Sequence, residues 1–182
     1  MQQSRFKDTI SAKNLNVNYR TLNDKQMTIF KQIELYYNDF VTKYNQVELL
    51  KIIIIGMAET GKSYLINAIR IRFQEMAMNN GIETLPMIVI ALTGVAAFNI
   101  LSAMIHSTLS VLINSLNFDI QGEWLKDLQK RLNGIKYVII DEKSIVECHM
   151  LSLIDLRLRI TFPEHQDQPF GDRSVILMGD FG

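Results

Sequence analysis

The sequence predicts an α/β fold, with an open and mainly parallel sheet that helices cover on both faces. Four short runs, rich in β-branched residues, alternate along the chain with longer segments of helical spacing. Each run is continuously apolar, which is typical of a parallel strand that is buried on both faces. The predicted strands are Ile52–Ile55, Met87–Leu92, Tyr137–Ile140 and Val175–Met178.

Four segments place their apolar residues on one side of a helix, and we predict that these sides face the sheet. The predicted helices are Asn23–Phe40, Ser63–Met78, Glu123–Leu132 and Met150–Leu158. In the first helix the apolar stripe consists of Met27, Phe30, Ile33 and Tyr37. Residues 162–173 are polar and contain two prolines, so they predict a loop.

The chain has 182 residues, which suits one domain. Residues 1–20 are polar and irregular and predict a flexible N-terminal arm, so the domain is expected over residues 21–182. The segment Pro86–Ile105 lacks charged residues and is long enough to cross a bilayer, but polar residues interrupt its middle. We therefore expect a buried strand, a turn and a packed helix there, and no membrane span.

Composition excludes several classes of protein. Hydrophobic residues make up 48% of the chain, which excludes a disordered tail. The 19 basic and 19 acidic residues cancel, so bulk positive charge cannot drive nucleic-acid binding. Cys148 is the one cysteine, so an internal disulfide and a two-cysteine zinc site are excluded. We expect Cys148 to be buried, and we expect Trp124 to pack in the core.

The segment from Gly56 to Ser63 fits the phosphate-loop pattern G-x-x-x-x-G-K-[ST]. A predicted strand leads into it and a predicted helix leaves it, which is the context that this motif requires. Backbone amides of such a loop bind phosphates, the lysine reaches the β- and γ-phosphates, and the hydroxyl binds Mg²⁺. The predicted nucleotide-binding residues are Gly56, Met57, Ala58, Glu59, Thr60, Gly61, Lys62, Ser63 and Tyr64.

An acidic pair follows the third predicted strand. Asp141 leaves the strand at its carboxyl end, where ligands bind in open α/β sheets. We predict that Asp141 helps Ser63 to hold Mg²⁺ and that Glu142 is the general base that polarises the attacking water. The alternative is that both acids merely begin a solvated loop.

Further motifs occupy the rest of the chain in a characteristic order. They are Leu22–Gln26, the phosphate loop, Thr93–Ile100, Ile105–Ser107, Ile139–Ser144 and Phe170-Gly171 running into Ser174–Gly182. In this order the chain resembles the PIF family of superfamily-1 ATP-dependent DNA helicases, which move 5′ to 3′. The resemblance covers roughly residues 20–182.

The resemblance implies a P-loop NTPase of the RecA-like type, as the first motor domain of a helicase. It implies ATP and Mg²⁺ as cofactors, catalytic roles for Lys62, Asp141 and Glu142, and single-stranded DNA as partner. Gln26 resembles the adenine-reading glutamine of the family, although Asn23 and Gln26 also fit a helix capping box. The residues expected to lie at the DNA are Thr93, Gly94 and His106.

The resemblance also implies roles in DNA repair, recombination and telomere maintenance, and a monomer in the nucleus, with the mitochondrion or cytoplasm as alternatives. The chain departs from the family pattern at Glu59 and Asp172, where glycine is usual, and at Leu92, where proline is usual. A carboxylate at residue 59 would repel a triphosphate.

Family members use two motor domains, whereas this length suits one. We therefore expect a truncated fragment that binds nucleotide weakly and does not unwind DNA unaided. The alternatives are a degenerate, non-catalytic nucleotide-binding fragment and, less favoured, a small-molecule kinase.

Overall fold

The computed structural model describes residues 17–43, 49–57, 59–82, 85–91, 103–104, 108–109, 121–141 and 148–180. Its strands are β1 (Lys51–Ile55), β2 (Met87–Ala91), β3 (Ala103–Met104), β4 (Tyr137–Asp141) and β5 (Ser174–Gly179). Its α-helices are α1 (Asp24–Lys43), α2 (Lys62–Asn79), α3 (Glu123–Leu132) and α4 (Cys148–Thr161). Three short 3-10 helices cover Tyr19–Thr21, Pro163–His165 and Pro169–Gly171.

The described strands form one sheet in the order β1-β5-β4-β2-β3, and every pair is parallel. Strands that are distant in sequence meet in register, with Ile53 opposite Leu177 and Ile139 opposite Ile176. The predicted α/β class, the four long strands and the four helices are therefore confirmed. Within the predicted loop 162–173, the structure adds the last two 3-10 helices.

The sheet carries one apolar core on each face. Residues of α1 and α2 pack on one face with Ile139, whereas residues of α3 and α4 pack on the other with Ile140. These neighbours in β4 belong to opposite cores because successive strand side chains alternate in direction. Each buried aliphatic or aromatic side chain contributes about 1.5–3 kcal/mol to folding, so the two layers supply most of the driving force.

An aromatic group joins α1 and α2 to the start of β4. The ring of Tyr37 stacks on Phe73 with centroids 3.8 Å apart, and the Tyr137 ring meets Tyr37 edge-on at 5.5 Å. Burial raises the pKa of both tyrosines. The group fixes α2, the helix that follows the phosphate loop, against the sheet.

Three predictions about burial are wrong. Among the described residues, β1 is an end strand of the sheet, and Ile53 and Ile55 are 57% and 39% exposed, because the core formed with α3 and α4 takes no residue from β1. Trp124 is 71% exposed, and Cys148 is exposed as well. Both lie at the first turn of a helix, and fully buried positions begin further along, at Leu128 in α3.

No described helix has the length and apolar character that a bilayer crossing needs. Within Pro86–Ile105, residues 92–102 and Ile105 lie outside the described part of the chain, so the turn and the packed helix expected there stay predictions.

Candidate nucleotide-binding site

The phosphate-loop motif lies where the sequence predicts it, between β1 and α2. The loop begins with a hydrogen bond from the Gly56 amide to the Gly179 carbonyl of β5, 3.0 Å long. It ends at Gly61, which has φ +77° and ψ 28°, a left-handed conformation that glycine adopts without strain. The Gly61 carbonyl then accepts the first bond of α2, from the Leu65 amide at 3.0 Å.

Lys62 folds back over the first half of the loop. Its Nζ donates to the Gly56 carbonyl at 2.8 Å and to the Met57 carbonyl at 2.9 Å. The Thr60 hydroxyl donates to the same Met57 carbonyl at 2.7 Å. These bonds hold the ammonium group on the loop, close to backbone amides that can bind an anion, so one site offers a cation and several donors to a phosphate.

Glu59 occupies a left-handed conformation, with φ +63°, and is exposed. A residue with a Cβ is strained there, whereas glycine is not. The conformation explains why a loop of this kind favours glycine at residue 59.

Asp141 is the last residue of β4 and is only 5% exposed. One strand, β5, separates β4 from β1, so the two lie about 10 Å apart at ordinary strand spacing. Because all three strands are parallel, Asp141 and the phosphate loop lie at the same carboxyl edge of the sheet. A placement at opposite edges would have excluded a shared nucleotide site.

The oxygen ligands available at this edge suit Mg²⁺. Ser63, in the first turn of α2, offers a hydroxyl, and Asp141 offers a carboxylate, which are the hard oxygen ligands that Mg²⁺ prefers. In the described ranges, no three His, Cys, Asp or Glu residues form a group that could bind a metal by themselves. A Mg²⁺ ion at Ser63 and Asp141 would therefore complete its shell with phosphate oxygens and water, as this ion commonly does.

Gln26, in the first turn of α1, contacts the phosphate loop. Its backbone amide donates to Asn23 Oδ1 at 2.9 Å, and its Oε1 accepts from the Asn23 amide at 3.1 Å, so the capping box is formed. Its Nε2 also donates to the Thr60 carbonyl at 3.0 Å and to the Gly61 carbonyl at 3.4 Å. The adenine-reading role remains a prediction.

Five predicted site residues lie outside the described part of the chain, and their roles remain predictions. They are Ala58 in the phosphate loop, Glu142, and the DNA-contacting residues Thr93, Gly94 and His106.

Tyr64 is a predicted nucleotide-binding residue, and the structure shows contacts of its side chain that the sequence does not predict. Its hydroxyl accepts from the Asn18 amide and donates to the Asn18 carbonyl, both at 3.0 Å, and lies 2.8 Å from Thr21 Oγ1. These partners are more than 40 residues away along the chain, so no local pattern could reveal the contact. Tyr64 thus joins the residues before α1 to the first turn of α2.

Residues 17–20, which the sequence analysis assigned to the N-terminal arm, contact the domain. The Tyr19 ring stacks on Phe30 at 5.5 Å, its hydroxyl donates to Glu75 at 3.3 Å, and the Arg72 guanidinium lies 5.7 Å from its ring centre. Burial alone would lower the pKa of Arg72, but its hydrogen bonds to Glu34 and Glu75 raise it. Arg72 is therefore a permanent cation beside this segment.

Residues 21–182 match the family model described as PIF1-like helicase. The ATP-dependent DNA helicase PIF4 of Trypanosoma brucei brucei (strain 927/4 GUTat10.1) is 30% identical over 131 residues. That alignment covers 69% of this chain and 15% of PIF4.

Solved structures of Pif1 helicases share the fold. The Pif1 helicase from Bacteroides in complex with ADP-AlF3 and ssDNA is 24% identical, with a TM-score of 0.63 over 87% of this chain and 32% of that one. The Pif1 helicase from Candida albicans is 24% identical, with a TM-score of 0.57 over 88% of this chain and 32% of that one. The chain thus spans about a third of each Pif1 chain and less of PIF4.

Proposed function

Because the chain belongs to the PIF1-like helicase family, we propose that it forms the nucleotide-binding part of a motor domain in an ATP-dependent DNA helicase. One observation carries the proposal. The phosphate loop with Lys62 and the buried carboxylate Asp141 lie at the same carboxyl edge of one parallel sheet. This is the edge at which open α/β sheets bind their ligands.

The chemistry we propose at this edge is hydrolysis of ATP. The loop amides and Lys62 bind the phosphate tail and stabilise the charge that develops on it as the terminal phosphoryl group leaves. A Mg²⁺ ion held by Ser63 and Asp141 would neutralise part of the phosphate charge. Glu142 is proposed as the base that orients the attacking water.

We further propose that hydrolysis drives 5′-to-3′ movement along single-stranded DNA, with Thr93, Gly94 and His106 at the strand. The Bacteroides Pif1 structure contains ADP-AlF3 and ssDNA in one complex, which supports the proposal that a protein of this fold binds both. Unwinding would require a second motor domain, and roles in DNA repair, recombination and telomere maintenance in the nucleus belong to the same proposal.

The test is ATP turnover by the purified chain, with and without single-stranded DNA. We expect turnover that DNA stimulates, and a loss of at least about tenfold in Lys62→Ala. Lys130→Ala removes an equal charge from the exposed surface of α3 and should leave turnover unchanged. Turnover that survives Lys62→Ala at the wild-type rate would contradict the assigned site.

A second candidate function is nucleotide binding without catalysis, and Glu59 favours it. The residue places a carboxylate and a strained conformation in the phosphate loop, and both oppose binding of a triphosphate. Nucleotide binding without any DNA-stimulated turnover would support this function. In either case, ATP-driven strand displacement by the isolated chain is not expected.

A further inference from the structure

We propose that one face of β1 is a docking surface for a further helix of the same protein, and that this helix leads to a parallel strand beside β1. The surface, which we call the β1 face, consists of Ile53, Ile55 and Leu177. The helix and the strand would belong to a segment that follows β5 in a longer protein of this family. The inference goes beyond the proposed function, because it concerns how the sheet is covered rather than what the site binds.

The β1 face is apolar but uncovered. Ile53 and Ile55 are exposed, whereas Ile54 between them is buried. Because strand side chains alternate, Ile54 packs with α1 and α2, and its two neighbours point to the face on which α3 and α4 pack. Leu177 of β5 lies opposite Ile53 and is partly exposed on that same face. The three side chains therefore form one apolar surface on a sheet, which a partner layer normally buries.

The free edge of β1 leads to the same conclusion. Among the described residues, β1 pairs with β5 on one side, and no strand lies on its other side. Natural edge strands are commonly protected by charged side chains or proline. In β1 the first residue, Lys51, is charged, and the four residues after it are all isoleucines. A strand of this composition is typical of the inside of a parallel sheet, so we expect a further strand at its edge.

The handedness of the crossovers predicts where the connecting helix lies. The steps from β3 to β4 and from β4 to β5 both run towards β1, and their helices, α3 and α4, lie on one face of the sheet. The step from β1 to β2 runs the other way, and its helix, α2, lies on the opposite face. Opposite faces for opposite directions are what right-handed crossovers produce, and parallel strands follow this rule almost without exception. A step from β5 past β1 continues towards the same end of the sheet, so its helix must lie over the β1 face.

A second copy of the chain fits the surface less well. Two copies that pair antiparallel through β1 would be related by a two-fold axis perpendicular to the sheet. Such an axis keeps both β1 faces on the same side, so the strand edges would be paired while the isoleucines stayed uncovered. A helix and a strand of the same protein satisfy the face and the edge together. Length allows this, because the chain covers only 32% of the Pif1 chains from Bacteroides and Candida albicans.

The experiment measures how fast a thiol on the β1 face reacts with iodoacetamide. Cys148 is exposed and is first replaced by Ser, and Ile53→Cys or Ile55→Cys then places a single thiol on the surface. Leu35→Cys is the matched control, since Leu35 is a similarly exposed apolar residue of α1, on the other face of the sheet. The variants are made in the 182-residue chain and in the longer protein that the same reading frame encodes. Circular dichroism confirms that each is folded.

In the 182-residue chain we expect the Ile53→Cys and Leu35→Cys thiols to react at rates within about threefold of each other, at every protein concentration. In the longer protein, the Ile53→Cys and Ile55→Cys thiols should react at least about tenfold more slowly, whereas Leu35→Cys keeps its rate. Unchanged rates in the longer protein would overturn the proposal.

Slow reaction of Ile53→Cys in the 182-residue chain would also overturn the proposal. Protection that rises with protein concentration would show that a second copy covers the β1 face, and protection at all concentrations would show that other residues of this chain do.

The reading frame gives an independent test. After residue 182 we expect a helical segment of about ten residues or more with one apolar stripe, followed by a run of about four to eight residues rich in β-branched side chains. A stop codon directly after Gly182, or a continuation without these two segments, would overturn the proposal. Neither test depends on ATP turnover, so a failure of the proposed function would leave this inference standing.

Discussion

Thr60 lies so close to Gly56 across the phosphate loop that a Cβ on Gly56 would come within 2.7 Å of Thr60 Oγ1. The hydroxyl can move aside only if it gives up its hydrogen bond to the Met57 carbonyl, which is 2.7 Å long. Gly56 has no positive φ, so the close approach alone explains why a glycine is needed here. The same glycine offers its carbonyl to Lys62.

The first prediction follows from this contact. Gly56→Ala should displace the Thr60 hydroxyl and lower the free energy of unfolding by about 1–3 kcal/mol, with weaker nucleotide binding as well. Thr60→Ala alone should cost about 1 kcal/mol, since it removes one hydrogen bond. Urea denaturation measures both changes.

The double variant Gly56→Ala/Thr60→Ala tests the contact itself. Removing Oγ1 makes room for the new Cβ, so the double variant should be more stable than the sum of the two single changes by about 1 kcal/mol. Strictly additive changes would show that the two residues do not compete for the same space.

The second prediction concerns Glu59. Glu59→Gly removes a negative charge from the loop. It also removes the backbone strain of a residue that has a Cβ and adopts a left-handed conformation. We expect ATP affinity to rise about two- to fivefold at low salt, because one charge near a phosphate in water contributes about 1 kcal/mol or less. Titration at two salt concentrations measures it.

Glu59→Gln is the matched control, since it removes the charge and keeps the strained backbone. If Glu59→Gln raises the ATP affinity as much as Glu59→Gly does, and high salt abolishes the rise, charge repulsion is the cause. If only Gly raises the affinity, the backbone is responsible. Unchanged affinity in both variants would contradict the prediction.

The strands and helices could be predicted because their signals are local. The apolar stripe that includes Ile33 and Tyr37 predicts α1 from the spacing of residues within that segment alone. Both residues are fully buried in the structure. The phosphate loop could be placed for the same reason, since the strand, the motif and the helix are consecutive.

The order of the strands could not be predicted, and the error about the burial of β1 follows from it. A run of four isoleucines predicts a strand that is buried on both faces. Ile53 and Ile55 are nevertheless exposed, because β1 lies at the end of the described sheet. Contacts between segments that are distant in the sequence could not be predicted either. The capping box at Gln26 is local and was foreseen as an alternative, whereas its contact with Thr60, 34 residues away, was not.

The third prediction concerns the bonds that join Tyr64 to the residues before α1. Tyr64→Phe removes the hydroxyl that Asn18 and Thr21 contact, and should lower the free energy of unfolding by about 1–2 kcal/mol. Hydrogen exchange at Asn18 should become faster, because its amide donates to that hydroxyl.

Thr21→Val is the companion variant. It removes the Thr21 hydroxyl, which lies 2.8 Å from the Tyr64 hydroxyl. Since both substitutions break this contact, the double variant should lose less stability than the two single changes together. Additive losses, or wild-type exchange at Asn18 in Tyr64→Phe, would contradict the assigned connection.

The last prediction compares two glycines that share a positive φ and differ in their surroundings. Gly171 has φ +58°, and a Cβ there would lie 2.7 Å from the Leu158 carbonyl oxygen, which is backbone of α4 and cannot swing away. Gly134 has φ +80°, with nothing within 4 Å of a Cβ. Gly134→Ala should therefore cost about 1–2 kcal/mol, the strain of the left-handed conformation alone. Gly171→Ala should cost about 1–3 kcal/mol more, because α4 must also shift. Thermal unfolding of both variants measures the difference, and equal destabilisation would show that Gly171 does not approach α4 as closely as the structure has it.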